Sequence, residues 1–573
     1  MNLYKKIFKI IHKSFNFFKI YDLSLIKIKR IKNINFGDYQ IYGLVNFFKI
    51  KKIKFNLLLK IIKKNFEKTI FIKKIKICKF NIINIFIDNK WLENKINNIS
   101  FSYRIGVEKI KNSKNIVIDY SSPNMAKELH VGHLRSTIIG DSMFRILSFL
   151  GYKVIKSNHI GDWGWQFGAI IAYLKTKKIN ISKYNIENIY YKSKNLYKYK
   201  KNFNLLSDKY TLKLQNNNIK YTKIWRKIIN ISKKENNFIY NLLNVNLTDE
   251  DIYGESFYKN IIPGIIKDLL NKNIAKKEKN FTLIKLKKFK NKAGKTMGII
   301  IKKNNGIYLY PIIDIACIKY RVQLLKANRI IYYIDSRQNR YLSQIWEISK
   351  KAGYINEKVS LEHHCFGMIL NKNKKPFKTR SGKNIKLKKL LLEAISKAKN
   401  LLINKRTNLN KKNIEKISQN LGIGSIKYFD LSRNRKKDYI FKWKEILKLN
   451  GNTCPYIQYS YVRIISIIKK LKINLFKFKN RIILNTKTER KIFLKIIQLE
   501  EIITEIKNKS MVNILCNYLY DISVLFNSFY EESKIITEKN ILLKLSKIQL
   551  IILIARVIKK SLNFLGIKTV EVM

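Results

Sequence analysis

The chain has 573 residues, of which 46% are hydrophobic, and its 117 Lys+Arg against 38 Asp+Glu give a formal net charge of +79. That much apolar side chain can bury several cores, which excludes a disordered polyelectrolyte, and the length predicts three or four domains. The charge predicts a polyanionic partner, but lysine, isoleucine and asparagine are enriched evenly from end to end, so most of it reads as solvated surface.

The N-terminal run Met1 to Lys13 is broken by lysine every few residues, so it offers neither a signal-peptide apolar region nor a span of about 20 apolar residues. No membrane partner is expected. Residues 1–110 alternate apolar and lysine-rich segments around the turn Phe36-Gly37-Asp38-Tyr39-Gln40 and close with a strand-like run, Ile82 to Ile87. They read as an α+β unit without a catalytic grouping.

Ile116 to Tyr120 reads as a buried strand and Ser121 to Asn124 as a turn, with Pro123 expected to hold Ser122 extended. A helix is expected from about His130. Its free N–H groups and positive dipole end favour phosphate, and Gly132 lets a base or phosphate approach the backbone. His130 and His133, three apart, share one side of the first turn. Alone, such a pair is more often surface or packed structure than a site.

From 111 to 400, strands and helices alternate as a parallel, doubly wound sheet should. The polar stretch from Ile179 to Lys220 and a helical segment to about Leu286 read as an insertion, 179–286, in which Gly254-Glu255-Ser256 is a turn followed by a helix. Gly306 to Tyr310 reads as a strand that opens a helix through Tyr320. There Asp314 suits an N-cap and a carboxylate partner for a planar cation equally well. Asn373 to Gly382 is a basic, glycine-ended loop whose charge says nothing in a chain this rich in lysine. The five cysteines, Cys78, Cys317, Cys365, Cys454 and Cys516, are far apart with no C-x-x-C, which predicts reduced thiols and no structural zinc. After a connecting helical segment, 401–450, the pattern from Gly451 to Met573 is almost wholly helical. Tyr456, Tyr459 and Tyr461, at helical spacing, fit a core face better than a base-stacking one.

The string Ser121 to Ser136, the run Asn158-His159-Ile160-Gly161-Asp162-Trp163-Gly164, and the stretches Asp314 to Arg321, Tyr333 to Gln338, Leu361 to His364, Pro376 to Arg380 and Leu565 to Met573 together resemble the class I aminoacyl-tRNA synthetases, specifically the bacterial arginyl-tRNA synthetases. The resemblance covers nearly the whole chain. It implies an α/β architecture with an N-terminal tRNA-contacting domain (1–110), a Rossmann-like catalytic domain (111–400), a connecting segment (401–450) and an all-helical anticodon-binding domain (451–573). It also implies ATP-dependent activation of L-arginine, with Mg²⁺ accompanying ATP, and transfer of arginine to the 2′-hydroxyl of the terminal adenosine of tRNA(Arg). A cytoplasmic monomer that needs bound tRNA even for activation is the expected form.

On the same resemblance, Lys127, His130, His133, Lys378 and Arg380 stabilise the phosphates, and His130, Gly132 and His133 hold ATP. Asn124, His130, Tyr310, Asp314 and Gln338 surround arginine. Thr379 stands where class I loops carry a second lysine, a role that Lys127 takes in arginyl enzymes. Other departures are Pro311, Ile312 and Ile313 for threonines, Tyr341 for a histidine and Trp165 for a threonine. Two rival readings are an inactive tRNA-binding descendant, which could lose these residues, and an adenylyltransferase with another acceptor, which would not need the helical domain.

Overall fold

An antiparallel sheet opens the chain. The computed structural model describes residues 2–31, 33–44, 55–78, 81–181, 185–290, 294, 296–377, 385–404, 410–474, 477–533 and 535–573. The first unit contains α1 (Leu3–Asn16), β1 (Lys27–Arg30), β2 (Tyr39–Tyr42), α2 (Phe55–Glu67), β3 (Ile72–Cys78), β4 (Ile82–Ile87) and α3 (Asn89–Ser100), its strands in the order β1-β2-β4-β3. Helix α1 starts where the Asn2 side chain accepts the Lys5 N–H, and Leu3, Ile7, Ile11 and Phe15, four apart, form its buried stripe. Gly37 turns with φ +88°, and a Cβ there would lie 2.7 Å from the Ile85 carbonyl oxygen, so only glycine fits.

The second unit follows with β5 (Asn115–Asp119), α4 (Val131–Leu150), β6 (Lys153–Ser157), α5 (Trp165–Thr176), α6 (Ile186–Tyr199), α7 (Lys201–Gln215), α8 (Ile219–Leu242), α9 (Ile262–Asn271), β7 (Ala275–Glu278), β8 (Phe281–Lys290), β9 (Thr296–Lys303), α10 (Tyr310–Gln323), β10 (Arg329–Tyr332), α11 (Asn339–Lys351) and β11 (Ser360–His363). Strands β11-β10-β5-β6 form one sheet, parallel throughout. The chain leaves β5 through α4 to β6 on one side and later returns to β10 on the other. A crevice therefore opens beyond the C-terminal ends of β5 and β10, where such sheets bind ligands. Buried Ile116, Val117 and Ile118 show why β5 reads as an uninterrupted apolar run.

Two sequence expectations need correction. The segment read as helical to Leu286 is helical only in part, because Ala275 to Lys303 forms an antiparallel sheet, β7-β8-β9; Leu283, Ile284 and Leu286 are buried while Lys285, Lys287 and Lys288 are exposed. Gly306 to Tyr310 is not one of the strands. Helix α10 begins at Tyr310 with Pro311 in its first turn, where proline's missing N–H costs nothing. Asp314 thus lies a full turn inside the helix and does not cap it.

The remainder comprises β12 (Ile369–Leu370), α12 (Leu387–Asn404), α13 (Lys411–Leu431), β13 (Tyr439–Ile440), α14 (Trp443–Ile446), α15 (Cys454–Lys470), α16 (Lys487–Ile497), α17 (Leu499–Lys509), α18 (Asn513–Glu532) and α19 (Ile541–Phe564). The closing residues fold back on α15: Gln458 donates to the Lys568 carbonyl and accepts the Val570 N–H. The N-terminal unit is tied to the helical one by Asp38, which is buried and accepts two bonds from Arg490, each 2.8 Å. Tyr39 and Arg30 reach Glu501 across the same junction. Among the described residues no helix is long and apolar enough to cross a membrane.

Candidate active site

The segment joining β5 to α4 is held in a conformation that the sequence did not announce. Ser121, Ser122 and Ala126 have φ of 69°, 46° and 75°, so Ser122 is left-handed and not extended as Pro123 led one to expect. Its N–H donates to Asn158 Oδ1 at 3.0 Å and its hydroxyl to Asp119 Oδ1 at 2.7 Å, bonds that offset the strain of a left-handed serine. Asn124 then runs beside Gly161, bringing the ends of β5 and β6 together. The Asn124 Oδ1 is buried without a hydrogen-bond partner, uncommon for a buried acceptor.

At the start of α4 the two histidines cap the helix themselves. The Gly132 N–H donates to His130 Nδ1 and the His130 N–H to His133 Nδ1, both at 3.1 Å; the ring centroids are 4.0 Å apart. Because each Nδ1 accepts, each neutral ring carries its proton on Nε2, a donor left for a ligand. Burial and the neighbouring Lys127 lower the pKa of His130, and burial and His130 bring that of His133 to about 3. Both therefore act at neutral pH as N–H donors without full charge. Lys127, its own pKa lowered by burial, lies over the Tyr190 ring at 4.7 Å. Of the groups assigned from the sequence, Lys127, His130, Gly132 and His133 lie together at the start of α4, and Asn124 precedes them beside Gly161.

Asp314 projects from α10 into the same crevice with its side chain 28% exposed. Tyr341 donates its hydroxyl to Oδ2, and His159 Nε2 lies 3.4 Å from Oδ1. Tyr310, one turn earlier, accepts a bond from Gln166. Gln338 is exposed at the foot of α11, so the residue of that helix that touches the carboxylate is Tyr341. Ile312 and Ile313 are buried in the apolar core beside Ile262 and Ile265, and Trp165 stacks on Tyr197 at 4.3 Å.

An acidic layer behind Asp314 went unread in the sequence. Glu255, read as part of a turn, is buried, accepts the Trp163 N–H at 3.1 Å, and has its pKa raised to about 8 by burial and by Asp162. Asp162, raised by burial, accepts from the Ser256 N–H and hydroxyl. The clue was available: two acids in the glycine turns 161–164 and 254–256, each flanked by aromatic residues.

Lys378 and Arg380 fall outside the described residues, but both roots of their loop are in view. On the near side Phe377 stacks on Phe441 at 4.8 Å; on the far side Val131 donates to the Ile385 carbonyl and Leu387 to that of Leu129. Arg135, on α4, reaches the Gly367 and Lys437 carbonyls and pairs with Asp430. Among the described residues no three His, Cys, Asp or Glu are grouped to hold a metal ion.

A family model described as tRNA synthetases class I (R), catalytic domain, matches residues 95–443, and the DALR anticodon binding domain matches residues 457–573. The chain belongs to the class I arginyl-tRNA synthetases. The arginine–tRNA ligase of Buchnera aphidicola subsp. Baizongia pistaciae is 46% identical over 583 residues, covering 100% of both chains, and that of Blochmanniella floridana is 49% identical over 565 residues, 96% of both. The Plasmodium falciparum arginyl-tRNA synthetase superposes with a TM-score of 0.84 at 29% identity, covering 99% of each chain. The Thermus thermophilus arginyl-tRNA synthetase shares the fold, with a TM-score of 0.80 at 18% identity and 99% of each chain covered.

Proposed function

We propose that this arginyl-tRNA synthetase joins L-arginine to tRNA(Arg) with ATP in the crevice between β5 and β10, and that the residues gathered there divide the work as follows. Asp314 takes the guanidinium, whose planar fork suits a carboxylate with a free lone pair on each oxygen. Tyr341 orients that carboxylate, and Glu255, kept mostly protonated near neutral pH by its burial, backs it without adding a charge. Asn124, through its unpartnered Oδ1, takes the α-ammonium, with Tyr310 and Gln338 nearer the mouth.

The arginine carboxylate attacks the α-phosphate of ATP and pyrophosphate leaves. Arginyl-adenylate then yields arginine to the 2′-hydroxyl of the terminal adenosine, and AMP departs. No covalent link to the enzyme is needed, so the protein supplies position and electrostatic stabilisation. The Nε2–H groups of His130 and His133 and the first N–H groups of α4 meet the phosphates, Gly132 gives them room, and Lys127, Lys378 and Arg380 add charge. Magnesium comes with the triphosphate and screens it.

Residues 451–573 read the anticodon, 1–110 touch the outer part of the tRNA, 111–400 carry the chemistry and 401–450 connect the two. The site is assembled from a single chain, in keeping with a monomer acting where tRNA is, in the cytoplasm. The observation that carries the reading is Asp314 inside the crevice, hydrogen-bonded and open to a ligand, opposite a self-capped histidine pair. The test is arginine-dependent pyrophosphate exchange with and without tRNA. Exchange needing arginine and tRNA, and lost in Asp314→Ala, is expected; tRNA binding without exchange under any condition would leave only the inactive tRNA-binding reading.

A further inference from the structure

The ring of His159 is held between two acceptors. Its Nδ1 is 2.8 Å from the Tyr253 carbonyl oxygen, which can only accept, so Nδ1 carries a proton. Its Nε2 faces Asp314 Oδ1 at 3.4 Å. A neutral ring would aim a lone pair at a carboxylate; an imidazolium aims an N–H at it. The groups that face the ring are Asp314 and Cys317 on α10, Asp119 at the end of β5, itself paired with Arg321, Asp162 beyond β6, Glu255 before α9, and the Tyr258 ring, whose centroid is 5.7 Å away; of these the Asp314 carboxylate favours the cation most directly. Burial works against the charge, but Cys317, the hydrogen bond to Asp314 and the charges of Asp314 and Asp119 outweigh it and raise the pKa to about 10.

Resting on the assignment of Asp314 to the guanidinium, we propose that His159 is a second determinant of arginine specificity: an imidazolium that holds Asp314 in the empty pocket and loses its Nε2 proton to solvent when the guanidinium arrives. The exchange is balanced. One N–H bond breaks, its electron pair stays on Nε2, the proton goes to buffer, and arginine brings the positive charge that left. Without that loss two cations would share one carboxylate in a low-dielectric pocket. After it, Nε2 offers a lone pair to one of the guanidinium's five N–H groups, so the residue that repelled the ligand becomes an acceptor for it.

A neutral ureido analogue such as citrulline cannot drive the exchange, because it leaves Asp314 either paired to an imidazolium it must displace or buried without a cation. Discrimination then arises from the charge swap as well as from direct contact.

The experiment is calorimetric titration of L-arginine into the full-length enzyme with its tRNA, without ATP, in phosphate and in Tris, whose ionisation enthalpies differ. About one proton released per arginine is expected, with the apparent Kd falling up to about tenfold per pH unit from 6.5 to 8.5. His159→Asn should still bind arginine but release no proton, and Glu255→Gln should keep the release. Wild type that releases none overturns the proposal, a result that needs no variant to fold. Release kept in His159→Asn and lost in Glu255→Gln also overturns it, by moving the proton to the neighbouring acid. Unchanged arginine affinity in Asp314→Asn would instead remove the assignment on which the proposal rests, and is seen separately.

Discussion

Replacing Arg135 by methionine keeps a long side chain in place and removes only its hydrogen bonds and charge. The side chains of Arg135 and its partner Asp430 are each 1% exposed, with Nε 3.2 Å from Oδ2. The same guanidinium donates to the Gly367 carbonyl at 2.8 Å and that of Lys437 at 3.1 Å. Leaving a buried carboxylate without its cation costs about 3 to 5 kcal/mol, and two stranded carbonyls add about 1 to 3 kcal/mol each, less what is regained because Arg135 Nη2 is itself buried without a partner. A net loss near 5 kcal/mol follows. Asp430→Asn added to Arg135→Met should restore about half, since asparagine keeps an acceptor for the Tyr439 hydroxyl, which now donates to Asp430 at 2.8 Å. Urea unfolding of wild type, both single variants and the double gives the coupling, and pyrophosphate exchange at low temperature gives the catalytic effect. Arg135 joins the histidine-bearing helix to the strand that leads into the loop of Lys378 and Arg380, so kcat should fall more than the KM for arginine rises. A loss below about 1 kcal/mol, or additive single changes, would refute the reasoning.

Gly132→Ala should lower kcat by about 100-fold with little change in the temperature of unfolding, read by exchange and calorimetry side by side; an added Cβ would lie 2.8 Å from His130 Cε1, displacing one N–H donor, worth about that factor. Glu501→Gln should stabilise the protein at pH 8 and not at pH 4. Burial raises the Glu501 pKa to about 7, above its ordinary value of about 4.3, so the native state is penalised once the pH passes that ordinary value and the penalty is complete above 7. The gain has an upper limit of about 4 kcal/mol, measured as the shift in the urea midpoint between the two pH values.

What could be read in advance depended on whether the signal was local. The strand before the turn was legible because three consecutive apolar residues are buried on both faces, and the start of α4 because histidine, glycine and histidine make a cap from neighbouring atoms alone. Ile82–Ile87 was legible from alternation, with Ile83, Ile85 and Ile87 buried on one face. The Asp162–Glu255–His159 cluster was not, since its members lie on separate turns that meet only once β6, α9 and α10 have packed. Asp314 was ambiguous for want of one fact, where α10 begins; a start at Tyr310 with Pro311 in the first turn removes the cap reading. The β7–β9 sheet was missed because regular lysines blur the contrast between a period of two and one of 3.6.

The histidine pair that caps α4 has a further meaning. The hydrogen bonds that cap the helix are the ones that aim the two imidazole rings, so on the proposed roles the orientation of the phosphate-binding donors needs no scaffold of its own and cannot be lost while the turn survives. On those proposed roles the reverse also holds: each brief fraying of that turn would misdirect both rings. On that reading, readiness to meet phosphate is a helix-coil equilibrium, weighted toward helix by the core packed beneath Val131 and Leu134.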